Sequence, residues 1–274
     1  QGGIWDYDGV PAWFCMGKSN YGDLGLNDAV SRSSPTQLPG TDWSKIHSSG
    51  GRGFRGLKTD GTAWAWGYNN AGQLGINIGS PAYAVQNRSS PCQIGTDTNW
   101  KTCASRTYGG AATKTNGQLF SWGYNPMGAN GTNDRTQRSS PIQVPGSWTC
   151  VDTGGDTMQS VMAIKTNGTL WAWGNNTVGE LGQNNTTRRS SPVQIPGTWS
   201  TATNESGGFN MDHSECSAVM KSDGTWWTWG KNNFGELGVN DRNGSPVYGN
   251  ASPRQIPGSW KIITTSNKTM WGIK

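Results

Sequence analysis

Few residues of this chain could do chemistry, and their spacing argues against each reaction they suggest. Histidine occurs twice, at His47 and His213, and the second sits in Asp212-His213-Ser214, which holds the residue types of a proton relay. A working relay draws its groups together from separate segments, so adjacency along one stretch is no signal for it. Asp6-Tyr7-Asp8-Gly9 opens like a calcium loop, but the later oxygen ligands and the closing Glu are missing. The five cysteines, Cys15, Cys92, Cys103, Cys150 and Cys216, lack the Cys-x-x-Cys spacing of a metal site. Their odd number leaves at least one thiol unpaired within the chain. Buried free thiols are the expected state, with one or two disulfides left open. No phosphate-cradling G-x-x-x-x-G-K-S/T run is present. The sequence therefore predicts no catalytic, cofactor-binding or metal-binding residues and a protein that is not an enzyme.

Composition points to strands and turns. The 274 residues include 41 Gly and 16 Trp, and only 14% are charged. Disordered chains lack aromatics and are dense in charge, so this one is expected to fold. Gly, Asn, Ser, Thr and Trp outweigh the strong helix formers, which predicts short aromatic and β-branched runs joined by tight turns. No run approaches the roughly 18 apolar residues of a membrane helix. The net charge is +5, yet Lys and Arg do not cluster beyond Arg188-Arg189, which argues against nucleic acid as a partner. A start at Gln1, without Met or a visible signal peptide, reads as a processed or trimmed product.

The elements that must carry any site come from repetition. The stretch "LWAWGNNTVGELGQNNTTRRSSPVQIPGTW" at 170–199 has a near-copy, "WTWGKNNFGELGVND", at 227–241, and echoes at 64–77, 120–134 and 13–28. Aligned on Gly17, Gly67, Gly123, Gly174 and Gly230, the copies recur at about fifty residues. Each is followed by a Ser-Pro (Pro35, Pro91, Pro141, Pro192, Pro253) and then by a Trp (Trp43, Trp100, Trp148, Trp199, Trp260). In the internal copies a Lys precedes a turn glycine: Lys58, Lys114, Lys165 and Lys221.

Such a unit reads as four strands. Strand A follows the Trp, strand B runs into the Lys, and an Asn-Gly or Asp-Gly turn leads to strand C, the aromatic run. Strand D is the "SPVQI" stretch, beginning at its Pro, where a missing N–H costs least. Trp171 and Trp173 share one face of strand C and fill space between units. The Gly-Glu-Leu-Gly stretches 179–182 and 235–238 read as turns that tuck a Leu beneath the strands. Arg32, Arg88, Arg138 and Arg189 precede the Ser-Ser-Pro; a ring of guanidiniums could bind an anion, but a repeated position reads better as a structural hydrogen-bond donor.

Four-stranded units of this length predict an all-β fold, a β-propeller. The chain ends at Lys274, in the place of the turn-preceding Lys, and opens with Asp8-Gly9 in the place of the turn. The fold expected is thus a five-bladed propeller, one domain over 1–274. Its blades are about 43–95, 100–145, 148–196, 199–257, and 260–274 with 4–39. Pairing of N- and C-terminal strands within one blade would close the ring and remove its open edge. "WAWGNNTVGELG…RRSSPVQI" resembles the repeats of the regulator of chromosome condensation family, over essentially the whole chain. Members of that family typically have seven blades; five copies imply a smaller ring or lost blades, and the terminal clasp favours the smaller ring.

Repeated positions are architecture, so function is sought where the copies differ. The stretches Gly75–Pro91 and Gly238–Pro253 are longer than Gly25–Pro35, Gly131–Pro141 and Gly182–Pro192, and both carry a similar tip, "SPAY" at 80–83 and "SPVY" at 245–248. Trp199–Lys221 is also longer than its counterparts, through "NESGGFNMDHSEC" at 204–216. Alternating strand direction puts all A–B and C–D loops on one face, and loops on a rigid scaffold are where binding resides. The expected partner-binding residues are Tyr83, Phe209, Met211, His213 and Tyr248, and the expected partner is a protein. The function read from this is a non-enzymatic protein-binding or structural module, extracellular or displayed on a cell surface or virus particle. The family resemblance implies a different role, nucleotide exchange on a small GTPase coupled to chromatin. An inhibitor of a secreted enzyme is a third reading. A glycan-binding propeller is a fourth, since exposed Tyr and Trp stack on sugars.

Overall fold

The computed structural model describes residues 12–48, 53–78, 86–154, 159–200, 209–211, 216–240, 250–266 and 269–274. Among these the regular structure is all strand. A first hairpin pairs β1 (Phe14–Gly17) with β2 (Arg32–Gln37). The first four-stranded sheet holds β3 (Trp43–Ser48), β4 (Gly53–Lys58), β5 (Ala63–Gly67) and β6 (Arg88–Gln93). The second holds β7 (Trp100–Arg106), β8 (Gly109–Lys114), β9 (Leu119–Gly123) and β10 (Arg138–Val144). In the third are β11 (Trp148–Thr153), β12 (Ser160–Lys165), β13 (Leu170–Gly174) and β14 (Arg189–Ile195). The fourth comprises β15 (Phe209–Met211), β16 (Cys216–Met220), β17 (Trp226–Gly230) and β18 (Asn250–Gln255). A last hairpin pairs β19 (Ile262–Ser266) with β20 (Thr269–Ile273).

Every four-stranded sheet is an antiparallel meander in the A, B, C, D order expected from the sequence. The B–C turns form as their residues dictate: Asn167 Oδ1 accepts from the amide and hydroxyl of Thr169, and Gly168 takes a φ of 79°. Strand D differs from expectation. It begins at the arginine, three residues before the proline, so Pro192 lies inside β14. The register shifts between the Ala172 and Gly174 pairs, and this bulge accommodates a residue that cannot donate to a ladder on an edge strand.

Neighbouring sheets meet through their first strands: β3 with β7, β7 with β11, β11 with β15, and β15 with β19. Strand A is therefore the inner strand and D the outer one. Between the second and third sheets, Ala104, Ala111, Leu119 and Val144 pack against Trp148, Val151, Val161 and Trp173. The tryptophans of strand C do more than fill space. The Trp173 indole donates to the Ala129 carbonyl in the turn of the preceding sheet, as Trp66 does to Asp23, Trp122 to Gln73 and Trp229 to Glu180. The leucines of the glycine-bounded turns, Leu24, Leu74, Leu181 and Leu237, are buried as expected.

The recurrent arginines act locally. Arg32 pairs with Asp28 at 2.6 Å and Arg138 with Asp134 at 3.0 Å, each four residues back. All five cysteines are free thiols; Cys103, Cys150 and Cys216 are buried, and burial pushes the Cys150 thiol up to about 12. Among the described residues no ladder joins β20 to β1, and Asp6–Gly9 lie outside them.

Candidate docking face

The A–B and C–D loops emerge at one end of the sheets, and the C–D loops share a rigid base. In each four-stranded sheet a buried Asn gathers the turn around its amide group, and Ser19 takes that place in the first hairpin. Asn176 Oδ1 accepts from the Leu181 amide, while its Nδ2 donates to the carbonyls of Asn185 and Thr187. Asn125 and Asn69 repeat the arrangement. A second Asn in each loop, Asn27, Asn77, Asn133, Asn184 and Asn240, holds positive φ, and the first four of these reach the next sheet. The Asn133 amide donates to the Ser190 carbonyl, and Ser191 Oγ donates to Asn133 Oδ1. Loops tied to their own sheet and to the next present a fixed surface.

Two buried guanidiniums lie beneath this surface, between the first and second sheets. Arg55 donates to Ser105 Oγ and to the carbonyls of Gln73 and Gly109. Arg106 donates to the Trp122 carbonyl and to Asn130 Oδ1 at 2.6 Å. Asn130 stands where the other turns carry the buried Leu, which is the sequence signal that could have revealed Arg106. Gly109 and Gly110 make room: a Cβ on Gly109 would lie 2.3 Å from Arg106 Nε, and one on Gly110 2.5 Å from Arg55 Nε. Desolvation lowers Arg55 to about 10 and Arg106 to about 9, the charge of Arg55 adding to the shift at Arg106. These arginines brace loops and are enclosed by protein, so they offer nothing to a ligand.

On the surface itself the structure gathers tyrosines that come from different repeats. Tyr21 of the first hairpin's loop and Tyr68 of the first sheet's loop have ring centroids 4.7 Å apart. In the second sheet, Tyr108 of the A–B turn meets Tyr124 of the C–D loop at 6.0 Å. Tyr124 and Phe234 are exposed. The sequence reading missed all five, because each lies at an unremarkable position of its own repeat.

Of the residues expected there, Tyr83, His213 and Tyr248 lie outside the described residues. Phe209 and Met211 stand in β15, which pairs with β16 through Phe209↔Val219 and Met211↔Ser217. Their stretch is therefore the inner strand of the fourth sheet, not a loop: Trp199 bridges Lys221, and the ladder resumes at Phe209 after the longer segment. His47 lies in β3 opposite Arg55. No group of three or more His, Cys, Asp or Glu that could hold a metal occurs among the described residues. Nor is any helix there long and apolar enough to cross a membrane.

Residues 60–105 and 167–202 match the profile of the Regulator of chromosome condensation (RCC1) repeat. The human protein WBSCR16 superimposes with a TM-score of 0.75 at 21% identity, over 95% of this chain and 66% of its own. The chain carries RCC1-type repeats and shares the fold of the RCC1-type propellers it resembles. Among curated relatives, the Ultraviolet-B receptor UVR8 of Arabidopsis thaliana is 24% identical over 265 residues, 92% of this propeller and 56% of the receptor. The probable E3 ubiquitin-protein ligase HERC4 of Homo sapiens is 28% identical over 193 residues, 68% of the propeller and only 18% of the ligase. Prp20p of Saccharomyces cerevisiae, whose structure was described with its binding to Gsp1p and histones, superimposes with a TM-score of 0.60 at 14% identity, over 93% of this chain and 77% of its own. The propeller thus spans a small part of one relative and little more than half of another.

Proposed function

We propose that this chain is a non-enzymatic docking module of five blades, the two terminal hairpins forming one blade between them, that engages a protein partner through the A–B and C–D loop face. The observation that carries the reading is the collection of Tyr21, Tyr68, Tyr108 and Tyr124 on that face as two ring pairs. Tyrosine supplies broad contact area at small cost in side-chain entropy, and surrounding Asn, Ser and Gly adapt their hydrogen bonding. The binding of Gsp1p and histones by Prp20p supports a protein as the class of partner.

The test compares affinity capture by the wild-type chain, by Tyr68→Ala/Tyr124→Ala, and by the opposite-face variant Asn116→Ala/Asn167→Ala, read by quantitative mass spectrometry. A partner retained by wild type and by the B–C turn variant, and lost from the tyrosine variant at unchanged melting temperature, is the expected result. Equal recovery on all three baits would reject the docking face.

A further inference from the structure

Between the second and third sheets a hollow of about 480 Å³ runs beside the outer strands, walled by Ile142 and Pro145 of one sheet and Trp171 and Pro192 of the next. It opens where the repeats depart from one another. The residue after the last glycine of the C–D turn is Ile76 in the first sheet, Thr132 in the second, Gln183 in the third and Val239 in the fourth. Ile76 packs on the core of its junction beside Phe120, the counterpart of Trp171. Gln183 Nε2 donates to the Gln194 carbonyl at 2.9 Å, and Val239 is buried. Thr132 is short, and its hydroxyl turns back to Asp134 Oδ2 at 3.1 Å, so the same place is left open.

The polar groups around the hollow have their acceptor atoms already taken. Asp134 Oδ1 accepts from the Thr136 amide, and its Oδ2 from Arg138 and Thr132. Asn133 Oδ1 accepts from Ser191 Oγ, and Gln143 Oε1 from Gln118 Nε2 at 3.4 Å. The amide NH2 groups of Asn133 and Gln143 donate to no other described residue. Lys165 supplies the charge. Lys58 and Lys114 pair with Asp42 and Asp97, each at 3.0 Å. The third sheet carries Ser147 and Pro145 at those two places, and Lys165 meets no carboxylate among the described residues. Its ammonium borders the hollow, 3.7 Å from the centroid of the Trp171 ring. Lys221 has no acid at those places either, but at its junction Gln183 stands in the place of Thr132.

A hollow of this size, mostly apolar with a few convergent polar groups, has the dimensions of a small-molecule site. Free donors beside occupied acceptors call for a ligand that only accepts. A neutral sugar would leave its own hydroxyl protons unpaired, at a cost for each one buried. One ammonium matches one negative charge, and a carboxylate on it makes a charge-assisted hydrogen bond. The indole and the two prolines suit a flat apolar body.

We propose that this hollow binds a small organic acid, its ring lying between Trp171 and Pro192 and its carboxylate on Lys165 and Gln143. The site shares no residue with the tyrosine pairs and does not depend on the docking proposal.

The probe is naphthoate, with naphthamide as its uncharged control, each titrated against the chain and followed by saturation-transfer NMR. Naphthoate should bind about tenfold more tightly than the amide, the order of one charge-assisted contact. Thr132→Gln, which copies the third sheet, should bring naphthoate down to the level of the amide at unchanged melting temperature. Thr132→Ile, which copies the first sheet, repeats the test if the glutamine variant does not fold. Pro145→Asp gives Lys165 the acid that Lys114 has, and should remove the preference for naphthoate while sparing the amide. No binding, equal affinity for acid and amide, or naphthoate binding that survives Thr132→Gln would overturn the site. Tighter binding of acetyl-Glu-Phe amide than of naphthoate, lost in the same variants, would overturn the small acid in favour of an acidic peptide. Tyr68→Ala/Tyr124→Ala should bind naphthoate as wild type does, so failure of this site leaves the docking reading standing, and the reverse holds.

Discussion

The Lys165 ammonium nitrogen stands 3.7 Å from the centroid of the Trp171 ring and 5.2 Å from that of Trp148. It is held between two rings that are themselves edge-to-face, 6.5 Å apart. The Lys that recurs before each turn is thus a bridge between strands A and C; Lys58 and Lys114 add ion pairs to Asp42 and Asp97, each at 3.0 Å, to their ring contacts. Lys165→Met keeps most of the stem's packing and removes only the charge. It should cost about 1–2 kcal/mol of unfolding free energy, as a half-buried cation–aromatic contact does, in urea titration. A loss no larger than that at a surface lysine such as Lys18 would assign the position to packing alone.

Gly110 and Arg55 are matched across the first junction. A methyl on Gly110 would press on the buried guanidinium at 2.5 Å, where close packing leaves no slack. Gly110→Ala should destabilise by about 1–3 kcal/mol. In an Arg55→Met background the same change should cost clearly less, because its collision partner has gone. A double-mutant cycle that returns simple additivity would contradict this account.

What the sequence revealed and what it hid follow from where the signals lie. Strands A, B and C were legible because Trp43, Lys58 and Gly61, and their repeats, sit at fixed short spacing and each has a local job. The start of strand D was not, since Pro192 suggested a boundary where the chain instead forms a bulge. The tyrosine pairs were invisible for a different reason. Tyr21 meets Tyr68, and Tyr108 meets Tyr124, across loops that only the sheet topology brings together. Phe209 and Met211 were misplaced because a longer segment after Trp199 reads as loop throughout, while the ladder resumes within it. Arg55 and Arg106 could be read only from their surroundings, the small Gly109-Gly110 pair and Asn130 in the place of a leucine.

The B–C turns contain their own control for acid sensitivity. Asp60 accepts from the hydroxyl of Thr62 at 2.6 Å and from its amide at 2.9 Å, and these bonds hold its carboxyl below the ordinary carboxylate value. Asp223 is held low in the same way by Thr225. A carboxyl depressed in the folded state adds stability above its unfolded value, about 3.9, and that stability is lost as pH falls through the folded value. Asn116 and Asn167 make the equivalent turns without a titrating group. Asp60→Asn/Asp223→Asn should therefore match wild type at pH 7 and lose less stability below pH 4. Parallel acid-unfolding curves for the two proteins would show that these bonds do not tune the carboxyls.

Asn133 has two tasks, and substitutions can separate them. Its φ of 59° is one that most side chains adopt only with strain, and its Oδ1 accepts from Ser191 Oγ of the next sheet at 3.0 Å. Asn133→Gly relieves the backbone and loses only the hydroxyl's acceptor, so it should cost about 1 kcal/mol or less. Asn133→Ala loses the acceptor and keeps the strain, for about 1–3 kcal/mol in total. Ser191→Ala removes the same hydrogen bond from the other side and should match the glycine variant. Chemical denaturation of the three proteins, at equal dependence on denaturant, gives the comparison. Equal losses for Gly and Ala would mean that the left-handed backbone at this latch carries no strain, and a neutral Ser191→Ala would remove the hydrogen bond from the account of how one blade is locked to the next.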